Sequence, residues 1–130
     1  MGAAENAAAV RRGYEAFSAG DLETLGALFA EDAVWYVPGN GPLSGTKRGR
    51  EAILAFFREL GERSQGSLNV SVRDIVGGED HTVGIHQAHA ERNGKTLDQA
   101  TAAVFVVRDG KVVECREFFE NTALSDDFWA

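Results

Sequence analysis

The stretch VFVVRDGKVVECREFFE, residues 104–120, decides the fold of this chain. Two apolar runs flank Asp109-Gly110, and an Asp-Gly pair between such runs favours a two-residue hairpin turn, because both residues tolerate positive φ. The same pattern occurs upstream, where Asn93-Gly94 lies between two further runs rich in β-branched and apolar residues. The sequence therefore predicts an antiparallel meander of four strands over 69–76, 82–91, 97–108 and 111–120.

The first half of the chain contains patterns typical of helices that cover such a sheet. Val10, Tyr14 and Phe17 follow i, i+4, i+7 spacing, which predicts a helix over 5–18. Asp21 is a candidate N-cap for a second helix over 22–30. A short strand over 33–37 and a third helix over 50–60, ending at Gly61, complete the pattern. The predicted architecture is one α+β domain, 1–130, with helices on one face of a curved sheet.

Charge and composition exclude several classes of function. The formal net charge is −7 and the 13 basic residues are scattered, which argues against a surface for nucleic acid or for an anionic membrane. Cys115 is the only cysteine, so no intrachain disulfide framework is expected. The sequence has no signal-peptide pattern and no run of 18 apolar residues, so we expect neither export nor a membrane span. A cytoplasmic protein is the expectation.

Three segments resemble the NTF2-like superfamily, and within it the SnoaL-like and ketosteroid-isomerase-like proteins. They are YEAFSAGDLETLGALFAEDAVWYVPG (14–39), GTKRGREAILAFFREL (45–60) and the hairpin of residues 104–120. The resemblance covers 8–122. It implies a cone, in which three N-terminal helices close a strongly curved antiparallel or mixed sheet around a deep apolar pocket. It also implies a homodimer that pairs through the outer sheet face, while leaving the chemistry open, since one scaffold hosts many functions.

The catalytic apparatus of the ketosteroid isomerases is missing at the matching positions. Val37 occupies the position of their aspartate base. Gly13 occupies the position of their oxyanion tyrosine, and Tyr14 lies one residue away, about 100° around the helix. Ala103 occupies the position of their second oxyanion acid. The resemblance therefore does not extend to steroid-type isomerisation by that apparatus.

Two other branches of the superfamily are compatible with the residues present. The Arg-x-Asp pair of limonene-epoxide-hydrolase-like members falls on His86 and Ala88, and their last-strand aspartate falls on Glu117. One carboxylate therefore remains for epoxide hydrolysis. SnoaL-like cyclases rely on one acid/base residue in an apolar cavity, and this chain can supply such a residue.

Strand alternation selects the side chains that can meet inside the cone. Glu117 shares a face with Cys115 and Phe119, and the resemblance turns that face inward. If His86 also faces inward, it converges with Glu117, and a neighbouring carboxylate would raise the imidazole pKa to give a general base. Alternatively, Glu117 is desolvated and acts as the acid itself. Cys115 is interpreted as a small core residue.

No metal site is predicted. His89 alternates to the opposite face of the strand from His86, and His81 lies in a turn. No Cys or carboxylate spacing completes a ligand set around either of them.

The remaining site predictions concern the wall and mouth of the pocket. The glycine-rich loop from Pro38 to Gly49 suits a loop that moves over a ligand, and ordinary turn chemistry explains its glycines equally well. Phe128 and Trp129 near the C-terminus could close the pocket, contact a dimer partner or cap the core. The predicted ligand-binding wall consists of Tyr14, Trp35, Val37, Phe57, Phe105 and Phe119.

The leading functional hypothesis is a cofactor-free SnoaL-like enzyme that acts on an apolar cyclic or polyketide-like small molecule. Glu117 and His86 would carry acid/base chemistry: cyclisation, isomerisation or dehydration. Two alternatives stay open at this point. The first is an epoxide hydrolase in which Glu117 activates water, and the second is a non-catalytic ligand-binding or dimerisation module. The expected partners are the ligand and a second copy of the chain.

Overall fold

The computed structural model describes residues 2–130. Within that range the helices are α1 (Ala3–Ser18), α2 (Leu22–Leu28), α3 (Arg50–Arg63) and α4 (Thr122–Trp129). The strands are β1 (Phe29–Val37), β2 (Gly45–Arg48), β3 (Asn69–Val76), β4 (Thr82–Arg92), β5 (Lys95–Arg108) and β6 (Lys111–Phe119). This is the predicted α+β class, with helices packed on a curved, mixed sheet that does not close.

The sheet has the strand order β2-β1-β6-β5-β4-β3. Its last four strands in the sequence form the predicted antiparallel meander, and β1 pairs parallel to β6. Both two-residue turns have the expected geometry: φ is 50° and 76° at Asn93 and Gly94, and 52° and 78° at Asp109 and Gly110. These turns fix the register, and the register fixes which side chains face the helices.

The structure corrects several predicted elements. The described residues contain a fourth helix, α4, and a short strand, β2, that were not predicted, and β1 begins four residues earlier than expected. Gly61 does not end α3; the helix continues to Arg63, and the chain leaves it through Gln65 and Gly66, which have φ values of 57° and 75°.

Helix α4 is held mainly by contacts with distant parts of the chain. Its N-cap, Asn121, accepts a hydrogen bond from the Leu124 amide. At its other end, Arg92 donates to the carbonyl oxygens of Phe128 and Ala130. The positive charge of Arg92 near the helix C-terminus also complements the helix dipole. A pattern of only eight residues does not predict such a helix, because its stability depends on tertiary partners.

The core lies between the inner face of the sheet and the helices. Ile53 on α3, Cys115 on β6 and Phe128 on α4 are almost completely buried there. Phe128 and Trp129 pack against each other edge to face, and both belong to this core. Of the three roles considered for these residues, the structure therefore shows packing in the core. Within residues 2–130, no helix has both the length and the apolar character needed to cross a bilayer.

Candidate functional site

A cavity of about 130 Å³, measured as the space open to the centre of a water molecule, lies between the sheet and the helices. Its surface is mainly aromatic and aliphatic. The six side chains predicted for the wall all contribute to it: Tyr14, Trp35, Val37, Phe57, Phe105 and Phe119. His86 and Glu117 also line it. Six of these eight residues come from strands, whereas Tyr14 lies on α1 and Phe57 on α3.

Glu117 is a carboxylate in apolar surroundings with one strong hydrogen-bond donor. The indole Nε1 of Trp35 donates to its Oε1 over 2.7 Å. Removal from water raises the pKa of Glu117 and outweighs the opposite effect of the Trp35 hydrogen bond, so that the pKa reaches about 7. Near neutral pH this residue can therefore both accept and release a proton.

His86 pairs with Tyr14 rather than with Glu117. The Tyr14 hydroxyl and His86 Nδ1 are 2.7 Å apart. The approach depends on Gly84, because a Cβ atom there would lie 2.5 Å from the Tyr14 hydroxyl oxygen. Tyr14 is one residue away from the position of the oxyanion tyrosine in the ketosteroid isomerases, yet it lines the cavity.

The expected bond between His86 and Glu117 is absent, and the expected rise in the imidazole pKa is wrong. His86 lies opposite Thr101 on β5, and Thr101 lies opposite Phe119 on β6. His86 and Glu117 are thus on strands about 10 Å apart and are also offset along them. With no carboxylate beside it, burial lowers the pKa of His86 to about 4.

The Tyr14–His86 pair is consequently uncharged at neutral pH. Burial raises the pKa of Tyr14, and Cys115 and Glu117 raise it further when they are ionised, so its hydroxyl remains protonated at neutral pH. If Tyr14 donates to Nδ1, the imidazole carries a free N–H on Nε2. If Nδ1 donates instead, the Tyr14 hydroxyl hydrogen is free. In either tautomer the pair offers one hydrogen-bond donor without a net charge.

The glycine-rich loop at the cavity is hydrogen-bonded to α4. The Asp126 carboxylate accepts hydrogen bonds from the backbone amides of Asn40 and Gly41, at 2.9 and 3.1 Å. Ser44 closes the loop internally by donating to the Pro38 carbonyl oxygen. Gly39 allows the close approach of Asp126, since a Cβ atom there would overlap the carboxylate. Asp126 and this loop together form one side of the cavity.

Some cavity residues were not found from the sequence. Gln99 and Thr101 on β5 and Asp126 on α4 all line the cavity. Gln99 and Thr101 share the face of Phe105 by strand alternation, so the sequence pattern could have identified them. Asp126 had no comparable signal, because α4 was not predicted.

The other residues that were weighed for chemistry lie outside the cavity lining. His81 and His89 are exposed, and Cys115 is fully buried, with burial raising the pKa of its thiol. Among residues 2–130, no three His, Cys, Asp or Glu side chains cluster in a way that could hold a metal ion.

The family model described as a SnoaL-like domain matches residues 10–115 of the chain. The match ends two residues before Glu117. Uncharacterized protein Rv0034 of Mycobacterium tuberculosis is 33% identical over 122 residues, which cover 93% of each chain.

Two solved structures are similar over nearly the whole chain. Bal32a, from a soil-derived mobile gene cassette, is 40% identical with a TM-score of 0.95 and 98% of each chain covered. IdmH from Streptomyces antibioticus, described as a candidate polyketide cyclase, is 30% identical with a TM-score of 0.75, covering 93% of this chain and 96% of its own.

Proposed function

Since the chain belongs to the SnoaL-like domain family, we propose that it is an enzyme that moves a proton on an apolar, cyclic or polyketide-like small molecule without a cofactor. The observation that carries the proposal is the position of Glu117. This carboxyl group has a pKa of about 7 and lines a mainly apolar cavity that the neutral Tyr14–His86 donor pair also lines. Groups with a pKa near the working pH are the most effective general acids and bases.

The proposed reaction begins at a carbon next to a carbonyl group of the ligand. The Glu117 carboxylate takes a proton from that carbon, and the electron pair of the C–H bond moves to the carbonyl oxygen to give an enolate. The free donor of the Tyr14–His86 pair hydrogen-bonds to this oxygen. A donor fixed in a dry cavity stabilises developing negative charge far better than one in water.

The enolate can then react in two ways within the same molecule. In cyclisation, its carbon bonds to a second carbonyl carbon, and the resulting alkoxide takes the proton held by Glu117. The alcohol can lose water if Glu117 removes a second proton from the carbon next to the carbonyl group. The new enolate then expels the hydroxyl group by breaking its C–O bond, and this group takes the proton held by Glu117 and leaves as water. In isomerisation, the ligand carries a C=C bond conjugated with the enolate, and Glu117 returns the proton to the far carbon of this dienolate, so that the double bond moves. Both routes regenerate the carboxylate, so neither requires an external reductant or oxidant.

His86 has a different role here from the one that the sequence suggested. With a pKa of about 4, its imidazole is neutral at pH 7, so it is a weak base and a poor source of protons. It serves instead as half of the donor pair. The description of IdmH as a candidate polyketide cyclase supports the substrate class, at 30% identity.

Deuterium exchange tests the proton transfer without knowledge of the natural substrate. The probe is 2-tetralone, an apolar bicyclic ketone with acidic protons next to its carbonyl group, in D₂O with NMR detection. We expect exchange above the buffer rate, and a decrease of about 10²-fold or more in Glu117→Gln. Glu114→Gln is the matched control, because Glu114 is on the same strand with its side chain on the opposite face.

A non-catalytic ligand-binding module is the second candidate, and the mainly apolar cavity favours it. It predicts that 2-tetralone binds but exchanges no faster than in buffer. Epoxide hydrolysis has weaker support, since the inward positions of its Arg-Asp pair hold His86 and Ala88. In that reaction, labelled solvent oxygen would enter a diol product.

The proposed partner, besides the ligand, is a second copy of the chain bound to the outer sheet face. Ile85, Ala102 and Phe118 lie in register across three strands of that face, and the side chain of Phe118 is 53% exposed. An apolar row of this kind matches its own copy under two-fold symmetry. Sedimentation should show a dimer that Phe118→Lys converts to a monomer, whereas an unchanged dimer in that variant would exclude this face.

A further inference from the structure

Two polar side chains that line the cavity have no part in the proposed proton transfer. Gln99 and Thr101 are adjacent inward positions of β5, about 7 Å apart along the strand. They are only 2% and 3% exposed, and both line the cavity. Buried amide and hydroxyl groups in an apolar wall are costly unless they find hydrogen-bond partners.

The orientation of the Gln99 amide follows from its single protein contact. The backbone N–H of Asn121 donates to the Gln99 side chain over 3.0 Å, so the accepting atom is Oε1. The Nε2 group, with two donor hydrogens, is then left over. Within residues 2–130, neither Nε2 nor the Thr101 hydroxyl makes a side-chain hydrogen bond to the protein, and both residues line the cavity. Neither is one of the sealed polar atoms without a partner, which are Asn6 Oδ1 and Thr82 Oγ1. Because both groups face the cavity, an occupant that accepts hydrogen bonds can pair with them and is favoured over one that cannot.

These groups are separated from Glu117 along the sheet. Glu117 lies opposite Ala103 on β5, two residues from Thr101 and four from Gln99. The register places the two polar groups about 7 and 13 Å from Glu117 along the strand direction. Aromatic wall residues, including Phe105 and Phe119, line the same cavity.

We propose that Gln99 and Thr101 form a second binding subsite, which recognises a carbonyl or hydroxyl oxygen at the end of the ligand remote from Glu117. The inference rests on the proposed function, because it assumes that the ligand occupies this cavity. It narrows the ligand class to fused or linked rings with oxygen functions at both ends. The amide donates to the remote oxygen, while the Thr101 hydroxyl can donate or accept.

Three naphthalene probes that differ only in oxygen content test the subsite by equilibrium dialysis. They are naphthalene, 2-naphthol and 2,6-dihydroxynaphthalene. We expect the dihydroxy compound to bind wild type about 5- to 10-fold more tightly than 2-naphthol, as one added hydrogen bond predicts. Thr101→Val, which keeps the shape of the side chain, and Gln99→Leu should remove this advantage without weakening the binding of naphthalene.

The outcomes separate the subsite from the proposed function. Equal affinities of the three probes for wild type, or an advantage that persists in both variants, would overturn the subsite while leaving the cavity as a binding site. Failure of all three probes to bind would overturn both proposals. Thr101→Val does not alter the Asn121 contact, so its result stands even if Gln99→Leu destabilises α4. Circular dichroism checks the fold of each variant.

Discussion

The indole Nε1 of Trp35 and the Oε1 of Glu117 form a 2.7 Å hydrogen bond that joins β1 to β6 inside the cavity. The two strands run parallel, with Trp35 opposite Cys115. The bond favours the ionised carboxylate, whereas burial favours the protonated form. The balance between these effects sets a pKa near neutrality.

Removal of the indole donor should therefore raise the pKa of Glu117 above its value of about 7. In Trp35→Phe the aromatic wall is largely kept, but the hydrogen bond to the carboxylate is lost. The side-chain ¹³C chemical shift of Glu117, followed against pH, measures the change directly. Trp129→Phe is the control, since Trp129 lines the same cavity without a bond to Glu117. A lower Glu117 pKa in Trp35→Phe would contradict the assigned role of the indole.

The pKa of Glu117 also predicts how stability changes with pH. It is raised from 4.5 to about 7 in the folded protein, so the folded state binds more protons than the unfolded state between these values. Wild type should lose stability relative to Glu117→Gln as pH rises through that window, by up to about 1.4 kcal/mol per pH unit. Urea unfolding of both proteins from pH 4.5 to 8 measures the difference, which should level off above pH 7.

His86 predicts the opposite slope, because its pKa is lowered from 6.5 to about 4. The unfolded state binds more protons between these values. Wild type should therefore lose stability relative to His86→Asn as pH falls from 6.5 towards 4. A stability difference that does not depend on pH would show that the imidazole is not held neutral in the folded protein. The same urea titrations provide the data.

Gly84→Ala should displace the Tyr14 ring and separate its hydroxyl from His86, because the added methyl group overlaps that hydroxyl. We expect a loss of about 1–3 kcal/mol in the free energy of unfolding, as for other overpacked sites. Deuterium exchange into 2-tetralone should fall as well. Gly61→Ala is the control: no atom lies within 4 Å of the new methyl group, and alanine favours a helix interior by about 0.5–1 kcal/mol. Equal effects of the two substitutions would be inconsistent with the tight contact at Gly84.

Asp126→Ala should release the loop at the cavity, because it removes the acceptor for the amides of Asn40 and Gly41. Native-state hydrogen exchange at these two amides should become faster, with little change in the central strands. Asp127→Ala is the neighbouring control, since that side chain is 75% exposed. If the two amides stay equally protected in Asp126→Ala, the loop is held by its internal contacts alone.

Local signals predicted much of the fold. Asn93-Gly94 and Asp109-Gly110 predicted the two hairpins. Alternation grouped Glu117 with Phe119 on one face of β6, the family resemblance turned that face inward, and both residues line the cavity. The parts that failed depend on tertiary contacts. Helix α4 needs Arg92 from β4, and β2 is a four-residue strand.

The contacts between side chains in the cavity were harder to predict than the face of the sheet on which each side chain lies. Parity gives the face of a side chain but not its distance from a side chain two strands away. It therefore could not separate His86 from Glu117, which lie on β4 and β6. The contact between Tyr14 and His86 depends on the space left by Gly84 and on how α1 lies on the sheet. Neither quantity is contained in sequence spacing.

The most direct measurement of the central claim is the pH dependence of deuterium exchange into 2-tetralone. The exchange rate should rise with pH and level off, with a midpoint of about 7 that belongs to Glu117, and Glu117→Gln should lose this catalysed component. A catalysed rate with the same midpoint and size in Glu117→Gln would contradict the assignment of proton transfer to this carboxylate.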